Sequence, residues 1–482
     1  MKLCVFGTLF NKKNIETRKL RQKQQKRLIF QAFLWIFSQL FDIIYLTKKQ
    51  PKEVKKSMNN ISQISIFDYS EIENLGDLER LKLFFENVND KKLCKSLEQE
   101  RKHGRNDYPI RTMLNLIYAM KIFGHRSVES FRRELGRNSQ LRIVCGLSEG
   151  EYKFLGKRKH LVPPARVFTG FLKLLKKHKN EIEEINEELV KFMYDNLEDF
   201  GKDCAIDGKY LDSYANQFHK SKAKKENDER AEHEATSSCK TYYMKDGTTK
   251  KEWHYGFRAH ILCDAKYGLP INWRVTPANN SEQKELDKMI KEMAQSDERY
   301  KLEKMENLMA DAGYDNGDRN KRLKEEYNIN PIVDIRHMWK EEKIREVKNQ
   351  MLAYNEDGEV FLILDTDKYE KLKYLGYDKE NQALRYGRET KGKKVYRVPL
   401  STDYRIFVPI ARDSKKFKKK YKMRTEVERL NGRIDRDYMF NDHFIRGKAK
   451  MELMLDLSFL VMLTMAKGHI KNKQKNIRSL VA

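Results

Sequence analysis

The feature that most constrains this chain is a series of short apolar segments between residues 203 and 335, most of them too brief to be helices. DCAIDGKYL comes first. HYGFRAHILCD and LPINWRVTPAN follow, joined at Tyr267-Gly268, whose turn chemistry predicts an antiparallel hairpin. The apolar spacing then alternates: SEQKELDKMIKEMAQ is helical, NLMAD a strand, RNKRLKEEY helical and NPIVDIR a strand. The order strand, strand, strand, helix, strand, helix, strand predicts a mixed α/β sheet that starts with a hairpin and gains its later strands by parallel crossovers.

Two of these strands run into an acid. Asp207 precedes Gly208 in the first, and Asp311 precedes Ala-Gly in NLMADAGYDNGD. Alone, each reads as an ordinary turn, because Asp and Gly end strands for local backbone reasons. Two acids on neighbouring strands, joined by a third from a later helix, also form the geometry that holds two divalent ions about 3.5 to 4 Å apart for phosphodiester chemistry. Such backbone-anchored carboxylates suit hard cations, which take oxygen ligands.

The flanks are read more coarsely. Residues 212 to 252 are polar and charged, which predicts a long loop, and 336 to 412 form a basic, Tyr-rich stretch that predicts a β-rich insertion. SKKFKKKYKMRTEVERLNGRIDRDYMF predicts a helix, and MELMLDLSFLVMLTMA an apolar helix that closes the core. Upstream, Ser127 is a candidate N-cap before Val128, Phe131 and Leu135, which places Arg126, Arg132, Arg133 and Arg137 outward on a helical unit. That unit fits a DNA-binding helix-turn-helix or a plain bundle with a solvated basic face. VPPARVFTGFLKLLKKHKNEIEEINEELVKFMYDNL predicts one long helix opened by Pro163 and Pro164.

Charge points to a polyanion partner. Lys and Arg total 98 against 71 Asp and Glu, for a net +27 spread along the chain, although a general lysine-rich habit accounts for part of it. The six cysteines are dispersed without zinc spacing, and no two of the eleven histidines have ligand spacing, which fits buried thiols in a reducing cytosol. RLIFQAFLWIFSQLFDIIYL, residues 27 to 46, is long enough to span a membrane, but Gln31, Ser38 and Asp42 form a polar stripe that favours an amphipathic surface helix. Met58, where a mixed-charge globular pattern starts, is a candidate alternative first residue.

Taken in order, AIDGKYL, the hairpin, ADAGYDN and YKMRTEVERLNGR resemble the catalytic motifs of insertion-sequence DDE transposases, and the resemblance covers roughly residue 58 to the C-terminus. It implies an α/β ribonuclease H-like catalytic domain with a β-rich insertion, preceded by an all-α DNA-binding region. The implied divisions are a basic leader (1–57), a helical end-binding region (58–200), the catalytic domain (201–335 and 413–470), the insertion (336–412) and a basic tail (471–482). The family's Y-x2-R-x3-E-x6-K pattern places the third acid at Glu428, with Asp207 and Asp311 as the others and Tyr421 and Arg424 as companions. Its lysine position falls on Asp435, so Arg433 or Arg436 is the substitute expected on phosphate, beside Arg132 and Arg133 upstream. The implied cofactors are two Mg2+ ions, with Mn2+ as a substitute. The implied partners are terminal inverted repeats and target DNA, bound by a dimer or larger assembly in the cytoplasm and not by a membrane protein.

Asp435 keeps two alternatives open: a weakened or non-catalytic DNA-binding copy, and a nuclease that cuts without joining. Glu426 lies about 200° around the helix from Glu428 and is expected to be a solvated acid on the far face. Lys209, Arg258 and Asn279 lie beside the expected site but read more simply as hairpin or turn residues. Trp253 and Trp273 read better as packing residues than as base-stacking ones.

Overall fold

The computed structural model describes residues 76–101, 107–147, 153–154, 158–159, 162–216, 234–244, 248–296, 300–339, 344–365, 368–388 and 394–479. The amphipathic helix expected at 27 to 46 and the start at Met58 lie outside the described residues. The central sheet is built on β1 (Asp203–Asp212), β2 (Thr236–Tyr243), β3 (Thr249–Asp264), β4 (Pro270–Pro277), β5 (Asn307–Ala310) and β6 (Asn330–Val333). Its order is β2-β3-β1-β5-β6, with β4 also on β3. β1, β3 and β4 are antiparallel, whereas β5 joins β1 in parallel and β6 joins β5 in parallel. α8 (Glu282–Gln295) leads from β4 towards β5, and α9 (Gly317–Glu325) connects β5 to β6. Three antiparallel strands followed by two parallel ones make the ribonuclease H-like sheet.

The described part of the region expected as a loop, 212 to 252, differs from the sequence reading. TSSCKTYY pairs residue for residue with the first half of β3, from Thr236 opposite Gly256 to Tyr243 opposite Thr249. Its β-branched and aromatic residues favour a pleated strand, and the surrounding lysines mask the alternation. The result is a two-stranded ribbon on which Trp253 is 70% exposed, so of the two tryptophans only Trp273 packs.

Among the described residues seven α-helices come before the sheet: α1 (Glu79–Asn87), α2 (Lys91–Arg101), α3 (Ile110–Ile122), α4 (Val128–Arg137), α5 (Ser139–Val144), α6 (Ala165–Lys177) and α7 (Lys179–Asn196). Ser127 caps α4 by accepting the Ser130 N–H at 3.1 Å. The single long helix predicted after Pro164 is two, because His178 leaves helical geometry (φ −101°, ψ 33°) and its ring nitrogens engage Glu181 and Glu100 at 2.9 and 2.6 Å.

Between β6 and the last helices the chain forms two antiparallel sheets, β10-β9-β8-β7 and β11-β12-β13. Their strands are β7 (Ile344–Glu346), β8 (Leu352–Asn355), β9 (Val360–Asp365), β10 (Lys368–Lys371), β11 (Lys373–Asp378), β12 (Ala383–Gly387) and β13 (Val395–Pro399). They share their own apolar cluster, which includes Tyr354, Val360, Tyr386 and Phe407. Arg405 ties this part to the central sheet by pairing with Asp315 at 2.8 Å and Glu356 at 2.9 Å.

α10 (Lys415–Tyr421), α11 (Thr425–Asp437) and α12 (Lys448–Lys471) complete the described chain. α12 is long and apolar enough to cross a membrane, yet every residue from Leu453 to Ala466 is buried. It packs on α7, α1, α3, α6 and β4 at once, so an all-round apolar helix is what its position requires. One ionisable residue interrupts the buried run from Leu453 to Ala466: Asp456 accepts the Trp273 indole N–H at 2.7 Å, and its backbone carbonyl accepts Asn186 at 3.2 Å.

Burial pushes the Asp456 carboxyl up to about 7. Because its folded value lies above the unfolded carboxylate range, the stability it contributes is complete below about pH 4 and is lost as pH rises through 7. Asp456→Asn keeps an acceptor for Trp273 and has no charge to bury. Its thermal midpoint should match the parent at or below about pH 4 and exceed it at pH 8, by on the order of 4 kcal/mol in unfolding free energy at most. A difference independent of pH would show that the carboxyl is not the titrating group.

Candidate active site

The pairing of β1 with β5 runs Asp203 to Asn307, Cys204 to Leu308 and Ala205 to Met309. Two residues further along each strand are Asp207 and Asp311, which therefore have the same parity and the same face. Between their polar first residues, Asp203 and Asn307, and these acids both strands are apolar and almost fully buried, as central strands covered on both sides must be. Asp311 also makes the turn its sequence suggested: its carboxylate accepts the Gly313 N–H at 2.9 Å and opens a short 3-10 turn, Ala312–Tyr314. Burial first, and then the charge of Asp311, hold the Asp207 carboxyl above the usual range, while the Gly208 N–H, Arg424 and Lys240 pull it back.

α11 lies across β1. Val427, Leu430 and Ile434 are fully buried and anchor it. The adjacent flank carries Arg424, Glu428, Asn431 and Asp435, spaced at helical intervals. Asn431 Nδ2 donates to Asp207 Oδ2 at 2.8 Å, and Lys209 Nζ meets Asp435 Oδ2 at 2.7 Å. Glu428 is half-exposed and held by Arg424 at 2.7 Å. Arg424 in turn lies over the Tyr421 ring at 5.6 Å, and the Tyr421 hydroxyl donates to Asp334 at 3.3 Å. A 3-10 turn, Lys422–Arg424, interrupts the predicted helix between Tyr421 and Glu428 without separating these side chains.

Other expected residues lie elsewhere. Glu426 is not a solvated acid: only 9% exposed, it is clamped by Arg478 at 2.8 Å and by Arg429, against the Gly268 turn. It does point away from Asp207, as two residues of helix require. Arg433 is partly buried and donates to the Gly268 carbonyl, so its guanidinium serves the hairpin. Arg436 is exposed and paired with Asp437 at 2.9 Å. On α4, Arg132 is committed to the Pro163 carbonyl and Glu129, whereas Arg133 is exposed. Asn279 lies in the turn after β4 and exchanges hydrogen bonds with Thr236 at the start of β2.

One residue at the site carried no signal of its own in the sequence. Glu282, the first residue of α8, sits beside both aspartates and pairs with Arg258 at 2.9 Å. A Cβ added at Gly208 would come within 2.6 Å of its Oε1, and one at Gly313 within 3.2 Å of its Oε2. An acid at a helix start reads as a complement to the helix dipole, which hides any further role. The available clue was Gly208, since glycine inside a strand often marks a close approach. α8 is locked to the loop after β5: Gln283 Nε2 donates to the Gly313 carbonyl at 2.8 Å, and Arg319 joins Asp287 to the Tyr314 and Gln283 carbonyls.

Among the described residues no three His, Cys, Asp or Glu side chains converge on one point in a way that could hold a metal ion. Glu428 is turned to Arg424, and Glu282 to Arg258. The donor set nevertheless fits a hard divalent cation: it consists of oxygen ligands, and like charges crowd it. Two further oxygens beside it, Tyr314 Oη and Asn431 Oδ1, are buried without a hydrogen-bond partner.

Comparison with known families accounts for this arrangement. Residues 219–464, just over half of the chain, match the family described as Transposase DDE domain, and residues 69–154 match Transposase domain (DUF772). The first match contains Asp311 and Glu428 and begins after Asp207. A search of curated proteins finds no match. Among solved structures, the piggyBac transposase synaptic complex with hairpin DNA aligns at 11% identity and a TM-score of 0.35, over 85% of this chain and 78% of that one. On the strength of its family matches the chain belongs to the insertion-sequence DDE transposases, enzymes that cut and rejoin DNA and generally use divalent metal ions.

Proposed function

We propose that Asp207, Asp311 and Glu428 are the catalytic acids and hold two Mg2+ ions, with Mn2+ as a substitute. In this reading the enzyme acts in the cytoplasm on the terminal inverted repeats of its own element and on target DNA, as a dimer or larger assembly. The helical region 58–200 binds the element ends; 201–335 and 413–470 form the catalytic domain around the insertion 336–412. The observation that carries the reading is the in-register pairing of β1 with β5, together with the Asn431 bond that fixes α11 on Asp207. When bound, the ions activate water or a 3′ hydroxyl and stabilise the departing oxygen.

The chain's own residues have separable tasks. Asn431 orients the Asp207 carboxylate, and Arg424 keeps Glu428 on the same flank of α11. Lys415, Lys416, Lys418 and Lys419 are exposed on α10 just before Tyr421, and Lys250 and Lys251 are exposed on the β3 ribbon. Both groups give the phosphate backbone cations on either side of the acids, the counterion-releasing contacts that dominate DNA affinity. Lys209 takes the place of the lysine absent from position 435, held by Asp435 itself.

Asp207→Asn, Asp311→Asn and Glu428→Gln should each reduce cleavage of an end-bearing DNA in Mg2+ by at least about 1,000-fold, with end binding in gel shifts unchanged. Glu426→Gln should retain cleavage but lower the melting temperature, because Arg478 and Arg429 lose their shared acid. An active Glu428→Gln beside an inert Glu426→Gln would reverse the assignment on α11. With supplied target DNA, joined products support transposition, and hydrolysis products alone favour a nuclease.

Asp435→Asn should stay within a few-fold of the parent, since Lys209 remains, whereas Lys209→Ala should lose about 10-fold or more in cleavage and in end affinity. Equal, small effects of the two would show that the pair is only a structural tie between β1 and α11.

A further inference from the structure

Glu282 lies outside the sequence motifs that carry the resemblance, yet its surroundings are those of a site residue. It is three-quarters buried, its carboxylate lies against the backbones that follow Asp207 and Asp311, and both places have glycine: a Cβ at Gly208 would collide with it at 2.6 Å, and one at Gly313 would press on it at 3.2 Å. Tyr314, fully buried, adds an independent observation. Its hydroxyl has no hydrogen-bond partner and lies within the electrostatic reach of Glu282, Asp207 and Asp311 together. A packing carboxylate does not need an unsatisfied phenol beside it, whereas an ion with its water shell satisfies such a group.

Resting on the catalytic reading of Asp207 and Asp311, we infer that Glu282 is a further carboxylate ligand of the divalent-ion site and that, before DNA binds, one ion is held by Asp207, Asp311 and Glu282 without Glu428. The supporting geometry is the rigidity of the two partners. Glu282 opens α8, which Gln283 and Arg319 fasten to the loop carrying Asp311, so the three acids belong to one interlocked unit. Glu428 instead projects from α11, half-exposed and engaged by Arg424. Arg258 is the countercharge that holds Glu282 in this structure; stacked on Tyr210 at 4.2 Å and bonded to its hydroxyl, it keeps a neighbour when the ion takes the carboxylate.

The test is titration of the full-length, DNA-free protein with MnCl2, followed by calorimetry and by the rise in thermal midpoint. Asp207→Asn and Glu282→Gln should each weaken Mn2+ binding at least 10-fold, while Glu428→Gln should bind within about 3-fold of the parent. Arg258→Gln should bind as tightly as the parent or more so, because it removes the competitor. Parent-like binding by Glu282→Gln, with Asp207→Asn impaired, overturns the inference and leaves the catalytic reading standing. Parent-like binding by Asp207→Asn overturns both. If Glu282→Gln does not fold, Glu282→Asp keeps the charge and shortens its reach, and parent-like Mn2+ affinity in that variant counts against the inference.

Discussion

The parallel pairing of β1 with β5 sets two carboxylates side by side at the ends of apolar, buried strands, and much of the site is a response to their repulsion. Asp207 lies above its ordinary range because burial and Asp311 both oppose its charge, and Arg424 and Lys240 offset part of that cost. Asn431 contributes a neutral donor, so α11 can approach Asp207 without adding charge. Glu282 would intensify the crowding, but Arg258 neutralises it. Each partner of the acids is thus either a cation, a neutral donor or a backbone N–H, a balance that a divalent ion can enter by displacing protein cations.

Position in that site depends on a helix that contains none of it. α12 packs simultaneously on the helical region and on β4, so the sheet and the N-terminal helices share one core. Its continuous burial from Leu453 to Ala466 explains why the sequence could pass for a membrane span. The one acid inside that buried run, Asp456, accepts the Trp273 indole N–H and costs stability only where it ionises.

Much of this was readable from residue order because the signals were local. The strands beside Asp207 and Asp311 are short, apolar and separated by helices of clear spacing, and their shared parity follows from the pleat alone. The helical spacing of Val427, Leu430 and Ile434 marks the buried face of α11 for the same reason. What was not legible depended on partners distant in the chain. β2 was hidden by the lysines of its own ribbon, and the break at His178 depends on Glu100, far upstream. Glu426 passed for a solvated acid because its clamp, Arg478, is 52 residues away. Glu282 was hidden most thoroughly, since its position at a helix start already had a sufficient local explanation.

Asp435 and Lys209 show how charge is shared between α11 and β1. On α11 the flank facing β1 presents Arg424, Glu428, Asn431 and Asp435, and β1 answers with Asp207 and then Lys209. Asp207 takes the neutral Asn431, and Lys209 takes Asp435. A lysine on the helix at 435 would face Lys209 across the same short distance, and two ammonium groups there would push α11 away from the strand that it must touch. An acid at 435 and a lysine at 209 therefore fit as a pair: the positive charge stands on the strand, two residues beyond Asp207, and Asp435 holds that lysine beside it.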